Sequence, residues 1–499
     1  MQRLWLLNLR LILPRLALAL LAVAVGFALA LLPLKWAVLL LAGGILSFGL
    51  LRWPRLAFCL LAFAVPFGSL VERNVGPVSL TGTELLVLLL LILWFLRSVA
   101  ARRLVVPRPP LLLALLVFLM AILLSTLVTV SLELSGKEIV KWVEVLIVYL
   151  LMADMLDESW GRWVVYALLA AGSAEALFGI YQFLRRVGPE GFVLFGRFMR
   201  AYGHFAQPNP FAGYLGLTLP LAYALTLDAI EAWRTGAWRV QAGVRRVVEQ
   251  LLPHAVAVAA FALMSVAMVM SWSRGGWVGA AAALLVVTVA RSRTARVSAL
   301  AVGLLLAYLL LVGGARYLPS ALLQRVSDLV PYVGGVDVTS VEVNDANWAV
   351  IERMAHWQAA VGMFSAHPWL GVGIGNYAVA YPRYAVGRWR DPLGHAHNYY
   401  LNIAAEAGLV GLSAFVLLLT ACFLQAWRVL RRFDGGLRSA GDHYWRTVAL
   451  GALGVLVHLA VHSVFDNLFV HSMNVQLALV LGLLGLAGRA GETQHAHRD

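Results

Sequence analysis

Residues 253–290 read PHAVAVAAFALMSVAMVMSWSRGGWVGAAAALLVVTVA, two apolar runs at 253–272 and 276–290 hinged on Ser273, Arg274 and Gly275. A helix rises 1.5 Å per residue, and about 20 apolar residues cross a hydrocarbon core. The stretch therefore predicts two spanning helices joined by a three-residue turn. The same pattern recurs at 16–34, 36–51, 55–71, 84–100, 111–130, 139–154, 162–185, 210–228, 296–313, 397–427, 444–463 and 468–488, which makes fourteen runs. Of 499 residues, 61% are apolar and 13% charged, against roughly 25% charged in a soluble domain. A water-soluble fold is excluded, because a soluble core cannot hide so much apolar side chain. The expectation is an all-α polytopic membrane protein of 12 to 14 spans. Its natural divisions are spans at 1–185, spans with a basic outer loop at 186–313, a large outer loop at 314–396, and closing spans with a short tail at 397–499.

The formal charge of +14 does not point to nucleic acid. Only Lys35, Lys137 and Lys141 are lysines, and the arginines punctuate apolar runs, as the positive-inside bias produces. With the N-terminus cytoplasmic, that side receives Arg52 and Arg55, then Arg97, Arg102, Arg103 and Arg108, then Arg234, Arg239, Arg245 and Arg246. It also receives Arg291, Arg293, Arg296, Arg428, Arg431, Arg432 and Arg438. The opposite short loops hold few cations, and an even number of spans returns the C-terminus to the cytoplasm. Arg3, Arg10 and Arg15 precede the first run as in a signal peptide, but no small-residue cleavage site follows, so a retained span is expected. Cys59 and Cys422 lie inside apolar runs, where neither a disulfide framework nor a cysteine zinc site is plausible.

Two long segments on the far side, 186–209 and 314–396, carry Arg, His and aromatics. Loops of that length are usually functional. An enzyme working there has no ATP and must use an activated substrate. Consistently, the sequence has no GxxxxGK[ST] loop, and the glycines at 371, 373 and 375 read as turn formers rather than a dinucleotide fingerprint. Arg274 is the only charge in its turn, and Gly275 and Gly276 allow close backbone approach. It reads either as a snorkelling interfacial arginine or as an anion fork. Arg197, Arg200 and His204 form a second basic cluster, with Asn209 as candidate N-cap of a helix near Phe211, and helix N-termini attract anions.

The stretch 394–412, GHAHNYYLNIAAEAGLVGL, carries the most chemistry. His395 and His397 are two apart, and Asn398, Asn402 and Glu406 recur at i, i+4 and i+8, a polar stripe that must face the protein interior. A histidine at the mouth of such a helix suits general-base work near neutral pH; a capping role is the alternative. Arg353 could contact phosphate or sugar, or pair with Asp345 or Glu352. Tyr381, Arg383, Arg388, Trp389 and Arg390 mix aromatics and cations as a sugar-phosphate surface or a solvated loop would. His458, His462, Asp466 and His471 resemble a metal face, although a hydrogen-bonded interhelical cluster, with Asp466 orienting an active-site group, is the preferred reading. Glu175 is a lone intramembrane carboxylate, a functional candidate by default, though Gln182 suggests a buried polar contact.

The run His397, Asn398, nine residues, Gly408, two residues, Gly411 resembles the signature of the O-antigen ligase family, whose membrane domain is shared with O-antigen polymerases. SWSRGGW, the segment RMAHWQAAVGMFSAHPWLGVGIGNY from Arg353 to Tyr377 and residues 200–220 extend the likeness over about 200–415. The resemblance implies a GT-C-like, metal-independent, inverting glycosyltransferase of the bacterial inner membrane with a periplasmic site and no cofactor. It implies undecaprenyl-diphosphate-linked glycan as donor and lipid A-core as acceptor, in lipopolysaccharide biosynthesis of the cell envelope. His397 would be the base, with Arg274 and Arg200 on the diphosphate. Arg197, His204, Asn209, Arg353, His395, Asn398, Glu406, Tyr381 and Arg383 would contact substrates. The first outer loop, Pro33 to Trp36, has no Asp or Glu, so arginine would supply the electrostatics a metal provides elsewhere. A polymerase using a second lipid-linked glycan is the main alternative. A transporter or flippase is the remote one, since it predicts inverted repeats and midplane charges that this sequence lacks.

Overall fold

The computed structural model describes residues 31–71, 73–75, 78–235, 244–312, 337–344, 347–435 and 439–492, besides Phe27 and Ser320. The first apolar run, Asp345 and most of the stretch 314–336 lie outside the described residues. The described residues are predominantly helical, at 77%. Its helices are α1 Leu34–Arg52, α2 Leu56–Phe67, α3 Gly82–Ala100, α4 Leu112–Ser125, α5 Leu132–Met155, α6 Glu158–Arg185, α7 Pro208–Gly216 and α8 Leu219–Arg234. They continue as α9 Val244–Met270, α10 Arg274–Arg291, α11 Arg293–Leu311, α12 Trp348–Ala366, α13 Tyr377–Tyr384, α14 Tyr399–Arg432, α15 Ala440–His462 and α16 Met473–Glu492. Two short antiparallel ribbons, Arg73–Val75 with Val78–Leu80 and Val193–Leu194 with Phe198–Met199, are the strands among the described residues.

Eight of these helices are long and apolar enough to cross a membrane, nine if the pair α7 and α8, bent by 41° at Leu217 and Thr218, counts as one span. The expected 12 to 14 is therefore met only in part. Two apolar runs become helices short of a full crossing, Leu56–Phe67 and Leu112–Val128. The run at 139–154 extends to Leu132 and takes Glu133, Lys137, Glu138, Lys141 and Glu144 into its helix, more charge than a simple span carries.

Residues to Ala57 form one unit and those from Phe58 a second. In the second unit small residues bring helices together, as expected where the lipid supplies no hydrophobic drive. A Cβ on Gly216 would lie 1.9 Å from the ring of His458. One on Gly279 would meet His458 Nδ1 at 2.9 Å, and one on Gly275 would meet both His462 and Phe465 Cβ at 2.8 Å. Glycine at these positions lets α7 and α10 close onto α15.

Helix α14 is one apolar run in sequence but two pieces in space. Its 34 residues would reach about 51 Å as a straight helix, well beyond a hydrocarbon core of about 30 Å. The break falls at Gly408, with φ 63° and ψ −161°. A Cβ there would sit 2.3 Å from the Trp369 backbone, and the amides of Leu409 and Val410 donate to Pro368 and Trp369 carbonyls at 2.8 and 3.3 Å. Gly371, itself at φ 67°, meets the chain at Ala405 and Glu406. The turn at 368–372 thus replaces helix hydrogen bonds lost at the break, leaving 399–407 as a short helix at the mouth and 409–432 as the crossing piece.

Candidate active site

His397 sits at φ 51°, a left-handed conformation that non-glycine residues adopt rarely and chiefly where the surroundings enforce it. Four bonds enforce it here. The His397 amide donates to His395 Nδ1 at 3.1 Å, and its carbonyl accepts from Trp357 Nε1 at 3.3 Å. Asn398 caps α14 by accepting from the Leu401 amide at 3.1 Å, and the Tyr399 amide donates to the Ser463 carbonyl at 2.7 Å.

The ring of His397 meets Asp466, with Nδ1 3.2 Å from Oδ1. Arg353 lies 3.8 Å from the other carboxylate oxygen and His395 Nε2 4.0 Å from the first. Asp466 is 4% exposed. Burial pushes its pKa up, but the His397 hydrogen bond, followed by the pull of His397 and Arg353, outweighs burial and holds it well below the carboxylate range. An ionised carboxylate can only accept, so His397 donates to it from Nδ1. His395 is neutral by the same geometry: Nδ1 accepts from the backbone, and burial followed by repulsion from His397 pushes its pKa down to about 4. His356 is likewise held down at about 4 by burial and then by His397; its Nδ1 lies 3.1 Å from the Tyr377 hydroxyl, and its ring stacks on Tyr381 at 4.6 Å. The site therefore keeps His395 and His356 neutral beside one anionic carboxylate.

The two basic clusters converge elsewhere on the same end. Arg200 Nε donates to the Ser271 carbonyl at 2.9 Å and Nη2 to Asn209 Oδ1 at 3.0 Å. The Ala201 amide donates to Met270 at 2.9 Å, and Phe198 packs on Trp272 at 5.3 Å. Arg200 is so fastened to the turn that launches α10 at Arg274, and Ser273 caps that helix through the Gly276 amide at 3.4 Å. Gly275, next to Arg274, abuts His462 and Phe465, and Phe465 precedes Asp466. Residues 74 positions apart thus share one turn, and that turn packs on the segment carrying the partner of His397.

Other candidates have different places. Asn209 lies inside the first turn of α7, which starts at Pro208 with Gln207 as N-cap, because Pro at N1 needs no amide partner. Its amide serves Arg200 instead of capping. His204 is bound by Glu175, which accepts from the His204 amide at 2.6 Å and lies 2.8 Å from Nδ1. Gln182 accepts from the Gly203 amide at 2.7 Å. Glu175 and Gln182 thus hold the loop at 202–204, as a buried polar contact does. Tyr381 belongs to the core rather than to a surface: it is fully buried and donates to the Trp389 carbonyl at 3.0 Å, because the small α13 helix folds its aromatic face onto α12. Arg197 and Arg383 are exposed, lying over Phe198 and Tyr384. Asn402 accepts from the Ala396 amide at 3.0 Å and Glu406 from the Tyr377 amide at 2.9 Å. The polar stripe does face inward, and its members hold loop backbone.

Sequence reasoning missed His356 and Trp357. Their signal was present: with Arg353 they occupy i, i+3 and i+4 of one helix face. The partner of Arg353 is Asp466 rather than Glu352. His458 and His462 bond each other, Nε2 to Nδ1 at 3.2 Å, while Asp466 turns away to His397. Among the described residues, His395, His397 and Asp466 form the trio able to hold a metal ion, with ligand atoms within 4.8 Å. The guanidinium of Arg353 competes for that carboxylate.

A helical membrane protein with a His–Asp pair and arginines gathered at one end is the class these features define. Residues 259–416 match the family model described as O-Antigen ligase, which supports a likeness to the O-antigen ligase superfamily. No curated protein matches the chain.

Proposed function

We propose that the protein is an inverting, GT-C-type glycosyltransferase of the bacterial inner membrane, moving a glycan from undecaprenyl diphosphate to a hydroxyl acceptor on the periplasmic face. The reading rests on its O-antigen ligase domain and on one observation, the His397 Nδ1 to Asp466 contact at 3.2 Å. That contact leaves Nε2 free to take the acceptor proton. The acceptor oxygen then attacks the anomeric carbon from the face opposite the diphosphate, the carbon–oxygen bond to phosphate breaks, and the electron pair leaves with the diphosphate. One displacement inverts the centre. Arg274 and Arg200 are assigned to the leaving diphosphate, since a bidentate fork suits phosphate oxygens. Preorganised cations in a water-poor site stabilise charge as it develops. Arg353 keeps Asp466 ionised and so fixes the His397 tautomer.

The acceptor is assigned as lipid A-core, with a second lipid-linked glycan as the polymerase alternative; both use the same base and cations. The test incubates purified protein with undecaprenyl-diphosphate glycan and, separately, each acceptor, with and without chelator. Product with lipid A-core alone supports the ligase, and product with the second glycan alone supports the polymerase. H397A is expected to lose about 10²- to 10⁴-fold in transfer, the range of general acid–base catalysis, while still binding donor. Full activity of H397A would overturn the assignment, and loss of activity with chelator would overturn the metal-free mechanism.

A further inference from the structure

Helix α12 carries Trp348, Glu352 and His356 at i, i+4 and i+8, one stripe of a helix face, with Arg353 and Trp357 beside it. The stripe runs toward the candidate base. His356 and His397 have ring centroids 5.8 Å apart, Trp357 holds the His397 carbonyl, and Arg353 reaches Asp466. Because Arg353 turns to Asp466, it does not take Glu352 as its partner, and the reaction gives that carboxyl no part.

Glu352 is half-buried. Burial pushes its pKa up, and the pull of His397, the hydrogen bond from Trp348 and then Arg353 bring it back down. His397 is thus the strongest charged influence on this carboxyl. Trp348, one turn nearer the helix start, donates its indole N–H to Glu352 and keeps 44% of its surface exposed. The indole is held in place: Arg388 lies over it at 4.6 Å, and the buried Trp389 packs on it at 4.7 Å. Ile351, Met354 and Ala355 join Val338 and Trp389 in one apolar cluster, which fixes how α12 is turned about its axis. Successive members of the stripe are about 6 Å apart along that axis, the scale of one sugar ring. An aromatic face suits the C–H face of a pyranose, and a carboxylate accepts from its hydroxyls.

We propose that Trp348 and Glu352 form the subsite for the acceptor glycan. Glu352 hydrogen-bonds the sugar that presents its hydroxyl to His397, and Trp348 stacks on the next ring. The assignment rests on His397 being the base of glycosyl transfer, and it adds what holds the acceptor against that base. Glu352 takes no share in bond breaking: the proton goes to His397 and the electron pair leaves with the diphosphate.

The test measures initial rates of the full-length protein against acceptor concentration. Undecaprenyl-diphosphate glycan is the donor, and the acceptor is whichever of lipid A-core and the second lipid-linked glycan the wild type uses. E352Q is expected to raise the acceptor KM about tenfold, the loss of one hydrogen bond to a charged group. W348A should raise it about fivefold, and W348F should recover part of that loss. Both KM effects should come with kcat and donor KM little changed, the pattern of a contact made alike in ground and transition states. A merely structural Glu352 would lower the melting temperature or kcat and leave the acceptor KM alone. If E352Q melts below the wild type, the comparison of W348A with W348F decides in its place. An unchanged acceptor KM in E352Q and W348A would overturn the subsite, and so would a fall in kcat at unchanged KM. The two readings fail separately. A fully active H397A removes the base and the function with it, whereas an inactive H397A beside an ordinary acceptor KM in E352Q removes the subsite alone.

Discussion

Arginine does different work at the two ends of the second unit. At the end opposite His397, arginines clamp the last turns of helices. Arg489 donates to Ala153 and Leu156 at the close of α5, Arg432 to Gly488 in the last turns of α16, and Arg446 to Arg291 at the end of α10. Terminal carbonyls lack helical partners and carry partial negative charge, so a cation there satisfies both deficits. At the His397 end the arginines instead reach across segments far apart in sequence: Arg200 to Ser271 and Asn209, and Arg353 to Asp466. The lesson is that the charge bias which orients a membrane protein also caps its helices, whereas cations on the far side are placed by tertiary contacts and must be explained by what they face.

After the loss expected for H397A, the largest effect that sharpens this contrast is D466N. It keeps the shape but offers no anion, so His397 loses the partner that fixes its tautomer. Transfer is expected to fall about 10²-fold, at the low end of the acid–base range, with donor affinity little changed. A fall in affinity with intact turnover would mean that Asp466 shapes a binding surface instead.

Next in size is G408A. It puts a Cβ 2.3 Å from the Trp369 backbone and forces a non-glycine residue into a backbone region essentially reserved for glycine, costing about 1–3 kcal/mol for the conformation and a further 1–3 kcal/mol for overpacking. Lower thermal stability and poorer assembly of the site should appear together; a variant with wild-type melting would show that the break in α14 is dispensable.

Acidification probes the buried imidazoles. His395 and His356 are held near 4 against an ordinary value of 6.5, so between those values the unfolded chain binds more protons than the folded one. Stability is then fully present above about pH 6.5 and falls as pH drops toward 4. Melting temperature against pH should show that slope, and H395Q should flatten it. An unchanged slope in H395Q would assign the titration to other groups.

The smallest effect is expected of R432Q, which removes one helix-terminal clamp. Its cost should be about 1 kcal/mol in thermal melting, with unchanged transfer per folded molecule. A catalytic defect at that distance would blur the division between the two ends.

Much of the fold could be read from the chain because apolar periodicity and length are local properties. The stretch 253–290 does form two helices joined at Ser271–Ser273, and Ser273 caps the second. Where reading failed, the cause was a competing contact. The run at 397–427 shows no break, since Gly408 is one glycine among many until the turn at 368–372 is laid across it. Asn209 has the chemistry of an N-cap, yet Pro208 begins the helix one residue earlier. Tyr381 looks like a sugar platform in a loop, and only folding of α13 onto α12 puts it in the core. For the site, His395, His397, Arg353 and Asp466 could each be singled out by type and spacing, but not their association.

The amino-acid order alone determined that this chain is a membrane protein, where most helices run, which loops gather cations, and which histidine begins the polar stripe, because those follow from residue-by-residue transfer energies and helical period. Tertiary structure alone decided that Asp466 serves His397 rather than His462, and that Arg200 joins the turn of Arg274. The reason is physical: a hydrogen bond depends on a few tenths of an ångström between groups separated by tens or hundreds of residues, and only the packing of the helices sets that distance.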